Sequence, residues 1–456
     1  MTPESLLSET FKEWADEAQV PHDLADRVLA GRAPRASRRR PGTMALAAAA
    51  TAVVVTGGML VPRMLDTAPP AAKDTAPRYP APTPVDTTTP VTPPTEVTPA
   101  DLPASLDIRA DTGNSPPKSL IAAGRIAVSA YFVSGTEKTG KGSDRRHDTW
   151  YLYNPGTGTY DLTDWSTLDV APGLRYAAVL ERELPARRVG ILDMATRQVR
   201  WIDLEQPAVY VSWSPDGTKV LVTSFDKDPS IRTRIRNGGD SWNRPQVRRL
   251  GFAIVDAASG QAAFHPGAEG AGGPFDQSAF RWSLDGTLVS ESNPALHDPS
   301  LGTSRSPERL YYDLDGRPHA APERDLDPGG EAGYSPDGRL YAGVPPTLTP
   351  APAPTLAPTH SLEDLKKMGV LQPRGPLTFV TDVSSGRLVG RQEMLQLRAW
   401  ADDGHLIGLQ CLGTCEDEFD ARLVVVTLDG SKSVRLSGEM LNSQRPGSWR
   451  PLLTRR

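Results

Sequence analysis

Three groups of residues in this chain have types that could do chemistry. Gly135-Thr136-Glu137-Lys138-Thr139-Gly140-Lys141-Gly142 carries the glycines and lysine of a phosphate-binding loop. A working loop ends in Ser or Thr, which holds magnesium, and opens a helix whose N-terminus faces the phosphates. Gly142 stands in that place, and the chain runs into the strand-like Trp150-Tyr151-Leu152-Tyr153, so nucleotide binding is not expected. Cys411 and Cys415 are the only cysteines, four apart in a glycine-containing loop. Outside the cytoplasm such a pair reads as a local disulfide. Free thiols, or a metal held with Glu416, Asp417 and Glu418, are the alternatives, and no His follows at ligand spacing. The seven histidines (22, 147, 265, 297, 319, 360 and 405) form no metal pair, and no Gly-x-Ser-x-Gly elbow occurs. No catalytic, cofactor-binding or metal-ligating residue is therefore assigned, no cofactor is expected, and the chain reads as a non-enzyme.

A further set of carboxylates recurs. Ser212-Trp213-Ser214-Pro215-Asp216-Gly217-Thr218-Lys219 returns as Arg281-Trp282-Ser283-Leu284-Asp285-Gly286-Thr287-Leu288, as Tyr334-Ser335-Pro336-Asp337-Gly338-Arg339-Leu340 and as Trp400-Ala401-Asp402-Asp403-Gly404-His405-Leu406. Proline presets φ for a turn, Asp tolerates the bridge region and Gly supplies positive φ, so each copy reads as strand, turn, strand. Pro215, Asp216, Gly217, Asp285, Gly286, Pro336, Asp337, Gly338, Asp403 and Gly404 are accordingly read as turn residues, because they recur with the fold. The enzymatic alternative is an extracytoplasmic active site in which carboxylates from separate repeats converge on a central channel.

The elements that position these residues follow from the repeat. Weaker copies lie at 122–128 and 170–177, and the six copies are spaced 43 to 69 residues apart, so a unit near the shortest spacing carries insertions. A second small turn follows each copy: Tyr153-Asn154-Pro155-Gly156, Leu192-Asp193-Met194-Ala195-Thr196, Val255-Asp256-Ala257-Ala258-Ser259-Gly260, Asp313-Leu314-Asp315-Gly316, Asp382-Val383-Ser384-Ser385-Gly386 and Leu428-Asp429-Gly430. Two hairpin turns per unit imply about four antiparallel strands, the composition of a propeller blade. The expected fold is all-β, a six-bladed β-propeller over 105–456, with seven blades if the tail around Trp449-Arg450-Pro451 closes a further unit.

The aromatic-Ser-Pro-Asp-Gly turn, followed by a strand and an Asp-x-x-Ser/Thr-Gly turn, resembles the repeat of TolB-type propellers across roughly 105–456. Without the Gly-His and Trp-Asp pairs of true WD repeats, the chain is only WD-repeat-like. The resemblance implies a fold and says little of function. The Ala, Arg, Pro and Gly bias matches a high-GC bacterial coding sequence, such as an actinobacterial one.

Ahead of the repeat the chain changes character. In 1–42, Leu6, Leu7, Phe11, Trp14, Leu24, Val28 and Leu29 fall at helical spacing around Pro21, and arginines 32, 35, 38, 39 and 40 follow without an acid. Residues 43–61 are 19 uncharged residues, about 28 Å as a helix, enough to cross a bilayer. The basic flank places the N-terminus inside, so the chain reads as a single-pass membrane protein with an extracytoplasmic propeller. A cleaved signal peptide competes with this reading, but its n-region would be unusually long. Residues 62–104 hold 12 Pro and 9 Thr and read as a disordered linker whose reach is at most roughly 130 Å. The short helices within 1–31 would bury their apolar faces best against a cytoplasmic partner. In layout alone this resembles transmembrane anti-sigma proteins, whose zinc-binding His and Cys pattern is absent.

Within the propeller, 225–250 carries Arg232, Arg234, Arg236, Arg244, Arg248 and Arg249, and reads as a solvated basic loop or one that grips a polyanion. Residues 345–376 form a Pro-rich insertion. A net charge of -5 predicts no attraction for nucleic acid. The expected role is binding, sensing or protein interaction at the propeller face, with an unknown protein or envelope ligand and a signal passed to the cytoplasmic side.

Overall fold

A computed structural model describes residues 93–234, 242–243, 246–268, 277–293, 309–322, 332–343, 377–412, 420–440 and 447–456. All belong to one compact unit, Lys73–Arg456. The expected tail, span and most of the linker lie outside the described residues, as do 344–376. Among the described residues no helix is long and apolar enough to cross a membrane.

The chain is an all-β propeller whose only described helices are single 3-10 turns at Pro99–Asp101 and Ala104–Leu106. Its strands run as antiparallel meanders. The first is a long hairpin, Ile126–Gly140 with Ser143–Asn154, flanked outside by Thr159–Leu162. Thr167–Val170, Tyr176–Leu180, Ala186–Asp193, Val199–Trp213, Lys219–Phe225, Arg249–Asp256 and Ala262–Pro266 then form one seven-stranded sheet. Its strand Val199–Trp213 pairs with Ala186–Asp193 over its first part and with Lys219–Phe225 over its last. Two four-stranded sheets follow, Arg281–Trp282 to Pro318–His319 and Gly333–Tyr334 to Leu388–Glu393. The last sheet runs from Gln396–Trp400 through His405–Cys411 and Ala421–Thr427 to Lys432–Arg435.

Alternation buries one side chain in two against each neighbouring meander. Ala130, Trp150 and Leu152 pack on Leu168, Val170 and Val179. Leu180, Val189 and Ile191 pack on Val211, Trp213 and Val220. Leu221 and Phe252 meet Phe280, Val289 and Tyr312, and Val380 meets Leu397, Trp400 and Leu406. The ring closes where Ile121, Val128 and Tyr131 pack on Ile407, Leu423 and Val425. Indole N–H groups add a register to these contacts. Trp213 donates to the Asp169 carbonyl at 3.1 Å, Trp282 to Ser212 at 3.1 Å and Trp400 to Gly333 at 3.0 Å, each acceptor on the preceding meander's innermost strand.

Both ends of the described chain lie at the closure. Trp449–Arg455 pairs antiparallel along the inner edge of Ile126–Gly140. The tail that could have opened a seventh unit instead supplies the innermost strand of the first. Thr95–Glu96, placed in the linker by its composition, pairs parallel with Lys432–Arg435, and Leu102 and Leu106 are buried in the closing cluster. Leu102 and Leu106 are the apolar anchors by which this segment joins the core. The Arg456 guanidinium meets Asp107 at 2.8 Å and ties the two ends together.

Candidate functional site

The two ends of the propeller differ. At one end sit the repeated turns, and their carboxylates are committed. Asp216 accepts from Ser214 Oγ at 2.5 Å and Thr218 N at 3.0 Å, while Ser214 Oγ accepts from Lys219 N at 2.9 Å. Ser283, Asp285 and Leu288 repeat this cage, as do Ser335, Asp337 and Leu340. Donation from Ser214 and Ser335, then from main-chain N–H groups, holds Asp216 and Asp337 below the usual carboxylate range. Gly217, Gly286 and Gly338 have φ of 72°, 72° and 71°, as the turn requires. A Cβ on Gly286 would meet Pro215 Cδ at 3.0 Å and one on Gly217 would meet Pro172 Cδ at 3.4 Å, so these turns also seat on the turn before. Pro215 and Pro336 occupy the expected turn positions. The fourth copy departs: Gly404 is not at positive φ, Asp402 Oδ1 accepts Gly404 N at 2.8 Å, and Asp403 pairs instead with Arg125 across the closure at 3.1 Å.

At the other end, adjacent strands of a meander are joined by the segments that make the repeat irregular. The chain leaves and returns there at 181–185, 226–248, 293–308, 343–376 and 412–420. Cys411 lies there too, at the end of its strand, in a disulfide; Cys415 is outside the described residues.

A cleft of about 400 Å³ opens at this end between the first and following meanders. Its walls come from the long hairpin (Ser134, Glu137, 145–149), from Leu162–Thr167, from Arg182 and Leu184, from Val209 and Tyr210, and from Asp228–Ser230. The hairpin reaches so far because its two strands stay paired to Gly140 and Ser143. The phosphate-loop imitation is therefore a strand and a hairpin turn. Gly135, its first glycine, lies opposite His147, and a Cβ there would come within 3.0 Å of the imidazole Cε1.

A described part of the insertion expected as a basic loop folds back on this hairpin. Ile231–Arg234 adds a strand beside Ser143–Asn154, and Arg232 comes to 3.9 Å from Asp144. Arg249 is not at the surface. It is fully buried with Glu291, bonded at 2.8 and 3.0 Å, and Glu291 also accepts from Ala268 N and Tyr312 OH. Arg236 and Arg244 lie outside the described residues.

Within the cleft some charges are paired and others are open. Arg145 reaches Glu183 at 3.2 Å, and its Nε lies 3.2 Å from Asp228 Oδ2 without hydrogen-bond geometry. Asp228 is 5% exposed, and its other oxygen accepts from Ser230 N and Oγ. Ser134 donates to Asp148 at 2.7 Å, and Arg182 lies 3.8 Å from Glu137. Burial first, then the Asp228 and Asp148 carboxylates, push the Tyr210 hydroxyl up, so it stays a donor at neutral pH. The buried Nδ1 of His147 has no partner. Trp165 is held edge-on to Trp201 at 5.7 Å, and Leu162 stands 63% exposed on the rim. Among the described residues no three metal-ligating side chains converge.

Of the cleft residues, the sequence reading names Glu137, within the phosphate-loop imitation, and His147, among the histidines, and gives neither a binding role. The signal available was Asp144-Arg145-Arg146-His147-Asp148, a dense charge run inside an otherwise apolar pair of strands.

Compared by sequence, the chain matches no protein-family model and no curated protein. By structure it is similar to TolB from Acinetobacter baumannii, with 13% identity, 68% of this chain and 66% of that chain covered, and a TM-score of 0.29. It is similar also to the β-propeller domain of the Trilobed protease from Pyrococcus furiosus, with 12% identity, 68% and 82% covered, and a TM-score of 0.32. A third is the acylaminoacyl peptidase of Pyrococcus horikoshii, with 12% identity, 71% and 47% covered, and a TM-score of 0.35. The chain thus spans about two thirds of the TolB chain and under half of the peptidase. Identities this low carry over no ligand and no reaction, and the propeller rests here on strand pairing and on the apolar seams between meanders.

Proposed function

We propose that this protein is a binding module, a six-bladed propeller held outside the membrane by residues 43–61 and presenting the cleft end to its ligand. The seven-stranded sheet counts as two blades that share the strand Val199–Trp213. The observation that carries the reading is the division of labour between the ends. One is a collar of self-satisfied turns, while the other, where the connections vary in length, holds a cleft with unpartnered polar groups. Rigid strands presenting variable loops suit recognition. The residues of the cleft act as binding groups and not as a nucleophile or an acid–base pair, since its buried acid, Asp228, is already engaged with Arg145 and Ser230. Residues 1–31 dock a cytoplasmic partner, through which occupancy of the propeller is passed inward.

Site-specific photo-cross-linking in intact cells tests the reading. A photo-reactive residue at Leu162, on the cleft rim, should form specific adducts, and one at Leu284, 48% exposed on the turn collar, should not. Adducts from Leu284 alone, or equally from both, would overturn it.

A further inference from the structure

The groups left open in the cleft narrow the ligand's chemistry, given the binding role proposed above. Arg145, Glu183, Asp228, Arg182 and Glu137 pair among themselves. What remains is the exposed Arg146, the exposed Asp164, the second oxygen of Asp148, the Tyr210 hydroxyl and the buried His147 Nδ1. Donors and acceptors are thus interspersed within one cavity. A polyanion would meet Asp148, Asp164 and Asp228, and a polyamine would meet Arg146 and the Arg145 side of the cleft. A hydroxyl suits every open group, because it both donates and accepts. A buried polar atom without a partner, such as His147 Nδ1, calls for a polar ligand atom or water. Beside these groups stands Trp165, whose edge-on contact with Trp201 fixes its orientation at an angle of 67°.

An aromatic ring next to mixed hydrogen-bonding groups suits a molecule with an apolar C–H face and a rim of hydroxyls. We infer that the cleft binds a neutral saccharide, with Trp165 packing on a sugar ring and Arg146, Asp148, Asp164 and His147 reading its hydroxyls. The volume of about 400 Å³ lies within the usual range of small-ligand sites, so the cleft holds a short stretch of sugar units and not a long chain.

Calorimetric titration of the full-length chain in a sugar-free detergent tests this, with chitotetraose and maltotetraose as neutral saccharides and inorganic polyphosphate and spermidine as charged controls. Saturable binding of one saccharide is expected, nearly unchanged between low and high salt because no net charge is neutralised. Trp165→Ala should weaken it at least tenfold, and Trp165→Phe should retain most of it. Arg146→Ala, at an exposed position that leaves the fold alone, should also weaken it about tenfold, the loss of one charged hydrogen bond. No binding of either saccharide overturns the inference. Salt-sensitive binding of polyphosphate or spermidine alone, or saccharide binding unaffected by both Trp165→Ala and Arg146→Ala, overturns it as well. Adducts at Leu162 would stand through such a failure, so the saccharide assignment and the binding role fail separately.

Discussion

Asp169→Asn should make this propeller more stable at neutral pH, although it removes a carboxylate with good hydrogen bonds. Asp169 lies on the strand Thr167–Val170, and its carboxylate accepts from Trp213 N at 2.6 Å and Val170 N at 2.9 Å. Burial at the seam pushes its carboxyl up to about 6, outweighing those two donors. The folded chain therefore binds more protons than the unfolded one between pH 3.8 and about 6, and stability falls as pH rises through that window. Above it, the penalty for the buried charge is about 3 kcal/mol. Asn carries no charge and keeps one carbonyl oxygen for Trp213, but it loses an acceptor for the other N–H at a cost of about 1 kcal/mol. The net gain at pH 7.5 is about 2 kcal/mol. By pH 4 the parent has taken up its proton and the advantage should be gone. Urea denaturation of the full-length parent and variant, followed by near-ultraviolet circular dichroism from pH 4 to 8, reads this directly. A variant no more stable than the parent at pH 7.5, or one whose advantage is the same at both ends of the range, would refute the account of the seam.

Other perturbations test the rest of the frame. Trp213→Ala, which removes a 6% exposed indole and its bond to the preceding meander, should cost about 3–5 kcal/mol in the same assay, and the half-buried Trp282→Ala less. Arg249→Met leaves Glu291 charged in a fully buried site and should cost about 3–5 kcal/mol; Arg249→Met combined with Glu291→Gln should recover part of that loss. Gly286→Ala, at φ 72° and against Pro215, should cost about 1–3 kcal/mol, whereas Gly404→Ala, outside the left-handed region, should change the denaturation midpoint little.

The turns were legible because their chemistry is local. Ser214, Asp216 and Gly217 satisfy one another within six residues, so their types and order specify the geometry without the rest of the chain. The fourth copy shows the limit of that reading. Its Asp-Asp-Gly keeps the spelling but lacks the Ser, so Asp402 takes over the capping and Gly404 has no need of positive φ. The seventh unit left open by the tail failed for a non-local reason, since Trp449–Arg455 pairs with a strand more than three hundred residues earlier. Arg249 was counted among surface charges because its partner Glu291 is forty-two residues away and nothing nearby marks the pair. The cleft was hidden in the same way, its walls being contributed by segments scattered from Ser134 to Ser230.

Legibility therefore differs between the two ends of each strand. In an antiparallel meander the first and third connections lie at one end and the second lies at the other. Here the first and third carry the repeated Asp and Gly, and several of these glycines pack on the neighbouring meander, as Gly286 does on Pro215 and Gly316 on His265. A position bound to its neighbour in this way tolerates few residue types, and so the repeat stays visible. The second connections differ in length from one meander to the next, from the two residues between Gly140 and Ser143 to the long segment between Ala342 and Leu377. The freedom that erases the repeat there lets Asp228 and His147 be brought together from different meanders. The regular spelling of the chain thus encodes how the ring is closed, while the residues that interrupt it line the cleft.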